Sequence, residues 1–463
     1  MYIEQLYTNC LAEAAYYIES NGEAAIIDPL RDTAPYIEKA ASRGAKIKYV
    51  FETHFHADFV SGHIDLARQT GAQIVYGPEA NTSYDVVNAA DGEIFHVGSL
   101  QIRALHTPGH TLESTCYLLI DANGKDHCIF TGDTLFVGDV GRPDLLDGIM
   151  TKEELASKMY DSLNNKIKPL ADDVVVYPAH GPGSACGKSM GKETFSTIGI
   201  QKQTNYALQP MTRDEFIAAV TDGLSQPPKY FFEDARINKQ GYEDVEMVMA
   251  KNAKPLSITA FETAVESGAL ILDTRIADIF EKAFIPNALN IGLNGMFAVW
   301  VGTLVDIDQP LVLVTEPGKE SESVLRLARV GYENVLGFLE GGIDAWIQSG
   351  RTIETVTTID PGSIKPYMGN DDYIVLDVRK PSEFENEHIS GAINIQLSEI
   401  GARLHELQPN KQYIMHCAAG YRSMMAASIL KANGLNNFVN VRNGWTGIKK
   451  TDLPTESSVP ELN

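Results

Sequence analysis

The chain has 463 residues, of which 44% are hydrophobic and 21% charged, and this is the balance of a globular protein with enough apolar material for several cores. Its formal net charge of −23 argues against binding to nucleic acid or to an anionic membrane, because both favour basic patches. No apolar run approaches the roughly 18 residues of a membrane span, residues 1–15 lack the basic and apolar regions of a signal peptide, and the five sparse cysteines predict free thiols in a reducing, cytoplasmic compartment.

The first half of the chain is predicted to be an α/β domain with a strand-rich core. Short apolar runs bounded by turn residues predict strands, and apolar residues three or four positions apart predict helices. Examples of strands are Ala24–Ile27, Lys48–Phe51, Gln73–Tyr76, Ile129–Thr131 and Val174–Tyr177, and examples of helices are Ile64–Thr70 and Lys152–Asn164. Pro227-Pro228 then interrupts the pattern, and an aromatic-rich connector runs to Pro255.

The second half carries the same order of patterns twice. Each copy has an Asp-x-Arg segment, a Phe, an Asn-Ile pair, a strand and a Gly-containing segment with Trp. The Asp-x-Arg segments are at Leu272–Arg275 and Leu376–Arg379, and the strands at Leu311–Val314 and Tyr413–His416. A spacing of about one hundred residues indicates the duplication of a domain-sized unit, with the joint at Pro361–Pro366.

Four predicted strands of the first half end in a histidine or an aspartate. The segments are Thr53-His54-Phe55-His56-Ala57-Asp58, Pro108-Gly109-His110, Gly132-Asp133 and Ala179-His180. A lone Asp after a strand is usually a helix cap and a lone Pro-Gly-His a turn, but chance rarely produces all four in this order. Because strand ends on one side of a sheet converge, and imidazole with carboxylate binds zinc and iron, the sequence predicts a metal site.

These segments resemble those of the metallo-β-lactamase superfamily, whose fold is an αββα sandwich, over roughly residues 1–245. Within it they are similar to persulfide dioxygenases, with glyoxalase II hydrolases as close relatives. The superfamily motif is His-x-His-x-Asp-His, and its last His belongs to a second metal site. Phe59 stands at that position and cannot bind a metal, which weakens the case for a binuclear zinc hydrolase. His63 is the alternative ligand.

The resemblance to persulfide dioxygenases implies one Fe(II) per chain, held by His54, His110 and Asp133. This facial set of two His and one carboxylate leaves open positions for O₂ as co-substrate and for a substrate sulfur. His56 either supports the ligands from behind or binds as a third His, in which case zinc is the alternative metal. Asp58 and His180 are likewise supporting residues or additional ligands.

Two further residues are candidates for substrate binding. Arg142 lies in Gly141-Arg142-Pro143-Asp144, which resembles the Gly-Arg-x-Asp segment of the family. The planar guanidinium of Arg142 suits a substrate carboxylate, although an ion pair with Asp144 explains the presence of Arg142 equally well. Tyr177 either donates a hydrogen bond into the site or is a core aromatic residue.

A cysteine loop marks the second of the two copies. Cys417 to Arg422 follows the predicted strand and precedes a helical pattern. A loop of small residues there turns its backbone N–H groups inward as an anion cradle, and the helix N-terminus favours the thiolate. The segment resembles sulfur-transferring rhodaneses, in which Cys417 would carry a persulfide sulfur and Arg422 would hold the anionic donor.

The first copy lacks this chemistry. It has Thr315–Glu320 at the place of the loop, and residues 187–416 contain no cysteine. Glu316 and Glu320 would repel an anion, so this copy resembles inactive rhodanese domains, and we expect a structural role for it. The expected organisation is α/β multidomain, with an αββα metallo-β-lactamase sandwich at 1–245, an inactive rhodanese-like domain at 250–352 and an active rhodanese domain at 358–456.

The expected function is oxidation of a low-molecular-weight thiol persulfide to sulfite with O₂, coupled to sulfur transfer through Cys417. Expected partners are thiol persulfides and thiosulfate or sulfite, with no nucleic acid, no membrane and assembly into a homo-oligomer. One alternative is a glyoxalase II-like zinc thioester hydrolase with a sulfur-carrier domain, and another is a non-enzymatic sulfur carrier. The sequence leaves open which thiol is used and in which direction the rhodanese step runs.

Overall fold

The computed structural model describes residues 1–146, 148–224 and 226–458. Within these ranges no helix combines the length and the apolar character needed to cross a membrane. The chain divides into two compact units. The first consists of Met1–Val248 with Leu325–Tyr332, and the second of Met249–Val324 with the chain from Glu333 onward.

The first unit contains two six-stranded sheets. One sheet has its strands in chain order, namely β1 (Tyr2–Thr8), β2 (Glu13–Ser20), β3 (Glu23–Ile27), β4 (Lys46–Phe51), β5 (Gln73–Tyr76) and β6 (Val87–Asn88). The other sheet also has its strands in chain order, namely β7 (Ile94–Val97), β8 (Leu100–His106), β9 (Thr115–Ile120), β10 (Asp126–Gly132), β11 (Val175–Pro178) and β12 (Ser196–Thr197). From β3 to β6 the pairing is parallel, as it is between β10 and β11.

Several helices accompany the two sheets. They are α1 (Ala34–Arg43), α2 (His63–Thr70), α3 (Lys152–Ser162), α4 (Ile198–Thr204), α5 (Arg213–Thr221), α6 (Phe231–Gln240) and α7 (Val245–Asn252), the last of which spans the boundary between the two units. The helix α3 begins with a capping box, in which the Thr151 hydroxyl accepts from the Glu154 backbone N–H and the Glu154 carboxylate accepts in return. Such a box satisfies two N–H groups that a helix start leaves without partners.

The strand alternation explains why the two sheets pack face to face. In β2, Tyr16 and Ile18 point into a core shared by both sheets, whereas Tyr17 joins the outer core under α1. In β10, Phe130 points into the shared core and Ile129 joins the outer core under α3 and α5. Side chains of a strand alternate between faces, so each sheet buries both faces. The αββα sandwich predicted from the sequence is confirmed.

The second unit contains two copies of one parallel sheet. The first copy has β13 (Pro255–Leu256), α8 (Ile258–Glu266), β14 (Leu270–Asp273), α9 (Ala277–Phe280), β15 (Leu289–Asn290), α10 (Phe297–Leu304), β16 (Leu311–Val314), α11 (Glu320–Ala328), β17 (Val335–Leu339) and α12 (Gly342–Gln348). The strand order of its sheet is β13-β17-β16-β14-β15.

The second copy has β18 (Thr358–Ile359), β19 (Tyr373–Asp377), α13 (Pro381–Asn386), β20 (His388–Ile389), β21 (Ile393–Asn394), β22 (Gln412–His416), α14 (Tyr421–Ala432), β23 (Phe438–Val441), α15 (Gly444–Ile448) and β24 (Thr455–Glu456). Its sheet has the order β18-β23-β22-β19-β21. The two orders correspond strand by strand, so the predicted duplication is confirmed.

Both copies keep the same buried ion pair. Arg275 Nη2 lies 2.5 Å from Asp273 Oδ2 in the first copy, and Arg379 Nη2 lies 2.6 Å from Asp377 Oδ2 in the second. All four side chains are almost fully buried. A buried charge is tolerated only when it is paired and hydrogen-bonded, which explains why the Asp-x-Arg segment occurs in both copies.

The first unit also includes a short segment from far along the chain, Leu325–Tyr332. The Arg31 guanidinium donates to the carbonyl oxygen of Ala328 at 2.7 Å, and the Val60 N–H donates to that of Arg329 at 2.7 Å. The Arg329 side chain lies 2.8 Å from Asp32. Residues 325–332 therefore complete the packing of the first unit.

Candidate functional site

The predicted metal residues follow the ends of four strands that the fold brings together. His54 follows β4, His110 follows β8, Asp133 follows β10 and His180 follows β11. The turn after β10 is tight: a Cβ on Gly132, which has a φ of +52°, would lie 2.5 Å from the Thr53 hydroxyl oxygen. Only glycine fits this close approach without strain.

Three residues point their ligand atoms at one another in the buried interior. His54 Nε2 lies 3.8 Å and His110 Nε2 lies 3.4 Å from Asp133 Oδ2. Within the described part of the chain, none of these three atoms has a hydrogen-bond partner. A buried polar atom without a partner is costly, so the three atoms face a position where one ligand would satisfy them all.

The other polar atom of each of these side chains is held by a neighbour. The contacts are Thr53 Oγ1 to His54 Nδ1 at 2.9 Å, the Arg142 carbonyl oxygen to His110 Nδ1 at 2.8 Å, and His180 Nδ1 to Asp133 Oδ1 at 2.8 Å. Contacts of this kind fix the orientation of a side chain and leave its other atom free to bind a metal. The triad is therefore positioned before any metal arrives.

The electrostatics of the triad suit metal binding. Burial opposes the ionised form of Asp133, but His180, His54 and His110 outweigh burial and hold the pKa of that carboxyl well below its usual range. Burial, reinforced by His56, lowers the pKa of His54 well below its usual value. Ionised carboxylate and neutral imidazole are the forms that bind metals.

The donor set of this site fits either of two metals, iron or zinc. Two imidazole nitrogens and one carboxylate oxygen form the facial set of non-heme Fe(II) oxygenases, and the same donors bind zinc when a water molecule completes the site. The buried group of His54, His110 and Asp133 thus indicates a metal ion, iron or zinc.

His56 lies beside the triad but faces two buried acids. Its Nε2 is 3.1 Å from Asp28 Oδ1 and 3.6 Å from Glu52 Oε2. Neither of its ring nitrogens has a hydrogen-bond partner among the described residues, and its ring centroid is 4.2 Å from that of His54. Asp28, Glu52 and His56 form a further buried group of potential ligands, so His56 fits both interpretations, as a support for the triad or as a ligand itself.

Asp58 and His180 form a second group on the other side of Asp133. His180 Nε2 lies 2.8 Å from Asp58 Oδ2, and the Cys186 sulfur is within 4.8 Å of ligand atoms of both. Burial disfavours a charged His180, but Asp133 and Asp58 outweigh burial and raise the pKa of the imidazole well above its usual value. This group has the donors of a second metal site, linked to the triad through His180.

Phe59 occupies the space next to these groups without adding a donor. It is fully buried, and its ring stacks on that of His56 with centroids 4.3 Å apart. The alternative ligand His63 lies 2.7 Å from the Tyr84 hydroxyl and 3.6 Å from Glu52, and burial lowers its pKa to about 3. His63 therefore belongs to the group around Glu52.

The two candidate substrate-binding residues have structural partners. Arg142 donates to both carboxylate oxygens of Asp144, at 2.7 and 2.8 Å, and to the Ala185 carbonyl oxygen at 3.2 Å. Tyr177 packs in an aromatic cluster, with ring centroids 5.3 Å from Tyr16 and 5.6 Å from Phe130. These contacts match the structural alternatives given for the two residues, an ion pair for Arg142 and a core aromatic residue for Tyr177. Arg142 contributes to the site through its carbonyl oxygen.

The cysteine loop connects β22 to α14, as predicted. Cys417 is buried, and its sulfur accepts a hydrogen bond from the Gly420 N–H at 3.2 Å. The Gly-Trp segment holds the loop from behind: the Trp445 N–H donates to the Cys417 carbonyl oxygen at 2.7 Å. A Cβ on Gly444 would lie 2.2 Å from that same oxygen, so only glycine allows this contact.

Arg422 is paired with an acid from another element. Its Nη1 and Nη2 donate to the two carboxylate oxygens of Glu383 at 2.6 and 2.8 Å. Burial would raise the pKa of Glu383, but Arg422 outweighs it and lowers that pKa. The predicted role of Arg422 in holding an anion therefore requires that Glu383 release the guanidinium, or that the anion bind to the three N–H groups that do not donate to Glu383.

The corresponding segment of the first copy contacts the Asp-x-Arg region. Thr315–Glu320 follows β16, and Glu316 Oε1 accepts from the Ile276 N–H at 3.2 Å. The inactivity of this copy stays a prediction.

Four residues of these groups are not predicted from the sequence patterns: Asp28, Glu52, Cys186 and Glu383. Asp28 follows β3 as Asp133 follows β10, so the rule of an acid at a strand end would have found it. Glu52 directly precedes the first histidine segment. Cys186 follows His180 by a few residues, whereas Glu383 lies far from Arg422 in sequence and has no such signal.

Comparison with known proteins agrees with this architecture. The family model described as "Metallo-beta-lactamase superfamily" matches residues 8–180, and the rhodanese-like domain matches twice, at 257–349 and 360–451. The fold and the site thus define a metallo-hydrolase-fold enzyme joined to two rhodanese-like domains.

Individual proteins support the same assignment. The chain is 37% identical to the "Probable hydroxyacylglutathione hydrolase glo2" of Schizosaccharomyces pombe, over 39% of this chain and 68% of that protein. It is 36% identical to the hydroxyacylglutathione hydrolase of Rhizobium johnstonii, over 40% and 77%. A crystal structure of a metallo-beta-lactamase from Staphylococcus aureus subsp. aureus COL has 32% identity and a TM-score of 0.65, over 73% of this chain and 98% of that one. The chain belongs to the metallo-β-lactamase superfamily.

Proposed function

We propose that the first unit is an iron-dependent persulfide dioxygenase and that Cys417 carries sulfur in the same protein. The observation that supports the proposal most directly is the group of three buried, unpartnered atoms on His54, His110 and Asp133. They form a two-His, one-carboxylate face beside Phe59, which stands where the superfamily motif has a further His. A metallo-hydrolase fold combined with rhodanese-like domains fits a role in sulfur metabolism.

The proposed reaction converts a thiol persulfide, O₂ and water into the free thiol and sulfite. When bound, Fe(II) supplies adjacent positions for O₂ and for the substrate sulfur. The residues of the chain hold the metal-binding face in place: Thr53 and the Arg142 carbonyl orient the two imidazoles, and His180 fixes Asp133. The buried surroundings exclude bulk water from the persulfide.

Cys417 is proposed to move sulfur between thiosulfate and a thiol. Its thiolate attacks the outer sulfur of thiosulfate, the S–S bond breaks, and sulfite leaves with the electron pair, so that a persulfide remains on Cys417. The Gly420 N–H donates to the sulfur, and α14 begins at the next residue, Tyr421. The reverse sequence consumes sulfite and releases thiosulfate.

Oxygen consumption with metal analysis tests the dioxygenase proposal. We expect oxygen uptake with glutathione persulfide or coenzyme A persulfide, and about one iron per chain, since one facial triad holds one metal. Asp133→Ala should abolish both, and Asp173→Asn, at an exposed acid of the same unit, serves as the control. Two zinc ions per chain without oxygen uptake would refute the proposal.

A zinc thioester hydrolase is the second candidate. Two observations favour it: the similarity to hydroxyacylglutathione hydrolases at 36–37% identity, and the second donor group of Asp58, His180 and Cys186. This candidate predicts hydrolysis of a hydroxyacylglutathione with two metals per chain. Assaying the same preparation for hydrolysis and for oxygen uptake distinguishes the two functions.

A further inference from the structure

A cavity of about 240 Å³ lies between the two rhodanese-like copies, next to the cysteine loop. The active copy contributes Ala419 and Gly420 of the loop, together with Asn440 and Arg442. The inactive copy contributes a wall that includes Asp278 and Glu281. A molecule in this cavity would therefore touch the cysteine loop on one side and the inactive copy on the other.

The wall from the inactive copy is fixed to the loop by direct contacts. The Tyr421 hydroxyl donates to the Gly292 carbonyl oxygen at 2.7 Å. The Tyr421 ring lies over Gly295, where a Cβ would be 2.5 Å from Cζ of the ring. The Asn290 N–H donates to the Ser428 hydroxyl at 3.1 Å. These contacts join the two sides of the cavity.

One residue of the cavity wall carries an exposed charge. Asn440 is only 3% exposed and its amide nitrogen lies 3.4 Å from the Thr358 hydroxyl, so it is a fixed part of the wall. Asp278 lies exposed in the first turn of α9 and adds a negative charge at the cavity.

The remaining charges at the cavity largely offset one another. Glu281 is 9% exposed, and its carboxylate accepts from the Thr358 hydroxyl at 2.5 Å. Arg442 lies 3.7 Å from Glu281 and 3.5 Å from Asp360. With Arg442 next to these two acids, Asp278 gives the cavity a negative character. A dianion such as thiosulfate is disfavoured there, whereas a cationic group is favoured.

We propose that this cavity binds the thiol that accepts sulfur from Cys417, and that Asp278 selects thiols that carry an ammonium group. An ammonium has a positive charge and three donors, which match the exposed carboxylate of Asp278. The volume suits a small thiol. This inference rests on the proposed role of Cys417 as the sulfur carrier.

The transfer balances without any external oxidant or reductant. The acceptor thiol loses its proton to solvent, and its thiolate attacks the outer sulfur of the Cys417 persulfide. A new S–S bond forms on the acceptor, the S–S bond to Cys417 breaks, and Cys417 leaves as a thiolate that is ready for the next donor. Asp278 takes no part in bond making and acts only through binding of the acceptor.

Acceptor preference in the full-length protein tests the inference. Thiosulfate serves as donor, and kcat/KM is measured for cysteamine, 2-mercaptoethanol and 3-mercaptopropionate, which carry an ammonium, a hydroxyl and a carboxylate. In Asp278→Asn the ratio of cysteamine to 2-mercaptoethanol should fall about threefold to fivefold, because an exposed ion pair contributes modestly. Asp278→Lys should lower it further and favour 3-mercaptopropionate. Comparing this ratio between variant and wild type cancels the difference in intrinsic reactivity between the thiols.

The control is Asp344→Lys, since Asp344 is an exposed acid in the first turn of α12 in the same copy and lies outside the cavity. Its ratios should equal those of the wild type. High salt should weaken the cysteamine preference of the wild type and leave that of Asp278→Asn unchanged, because exposed charges are screened. Unchanged ratios in both Asp278 variants would overturn the inference.

A parallel assay separates failure of the inference from failure of the proposed function. Thiocyanate formation from thiosulfate and cyanide requires the sulfur on Cys417 but no thiol. Normal thiocyanate formation with unchanged thiol ratios overturns only the acceptor site. Absence of thiocyanate, with no added sulfur on Cys417 by mass spectrometry, overturns the sulfur-carrier role and the acceptor site together.

Discussion

Replacing Gly295 with Ala should disturb the cysteine loop from the neighbouring rhodanese-like copy. A Cβ at this position would lie 2.5, 2.6 and 2.8 Å from three atoms of the Tyr421 ring. The ring would have to retreat by about 0.9 Å to reach the 3.4 Å of an ordinary contact. Tyr421 is the fifth residue of the loop that begins at Cys417, so the displacement is transmitted to the Gly420 N–H that contacts the sulfur.

The expected size of the effect follows from the packing. Overfilling a packed contact costs about 1–3 kcal/mol, and loss of the hydrogen bond from Tyr421 to Gly292 adds about 1 kcal/mol. If about 1.4 kcal/mol of this cost raises the activation free energy at the cysteine loop, the rate of thiosulfate turnover decreases about tenfold. The assay is thiocyanate formation from thiosulfate and cyanide, with the urea midpoint measured alongside.

The control is Gly401→Ala, since Gly401 is exposed and has no atom within 4 Å of an added Cβ. A double-mutant cycle of Gly295→Ala with Tyr421→Ala should reveal a coupling of about 0.5–3 kcal/mol, as residues in contact are not independent. The reasoning is refuted if Gly295→Ala behaves like Gly401→Ala, or if the double variant is simply additive.

Three further substitutions test other parts of the structure. Phe59→His should raise the metal content measured by mass spectrometry from about one to two per chain, since a second imidazole would join Asp58 and His180; an unchanged count contradicts this. Cys417→Ser should abolish thiocyanate formation while oxygen uptake from added persulfide stays largely unchanged, and a parallel loss of both would show that the two sites are not separable. Glu383→Gln should lower the KM for thiosulfate, because a negative charge is removed beside the anion cradle, and a higher KM would argue that the charged pair with Arg422 is needed.

The strand-end residues could be predicted from the sequence because each follows a short apolar run. Strand ends on one side of a sheet converge, so the four segments that contain His54, His110, Asp133 and His180 were expected to form a metal site. The choice of His54, His110 and Asp133 as its ligands rested on the resemblance to persulfide dioxygenases. The cysteine loop was predictable for a similar reason, since a small-residue segment between a strand and a helix is a local pattern. The αββα sandwich was implied by the resemblance to the metallo-β-lactamase superfamily, and the duplication was indicated by the repeated order of motifs.

Contacts between distant segments were beyond the reach of the sequence. Nothing local to Arg422 predicts that Glu383 takes two of its donors, and nothing local to His56 predicts which of its nitrogens faces Asp28. The cavity beside the cysteine loop depends on Gly295 meeting Tyr421, a pairing of two separate copies. Such contacts depend on how elements pack, and neither periodicity nor composition encodes that packing residue by residue.

The segment Leu325–Tyr332 determines how the two activities can be studied separately. A fragment ending at residue 248 would remove the Ala328 acceptor from Arg31, a guanidinium that is 0% exposed, and the Arg329 carbonyl that accepts from Val60. A hydrogen bond to a charged group contributes roughly 1.5–3 kcal/mol, a large share of the 5–15 kcal/mol or so that holds a typical domain together. A weakened fragment would then be mistaken for an inactive catalyst. Point substitutions in the intact chain avoid this error, whereas truncation at the apparent linker leads to it.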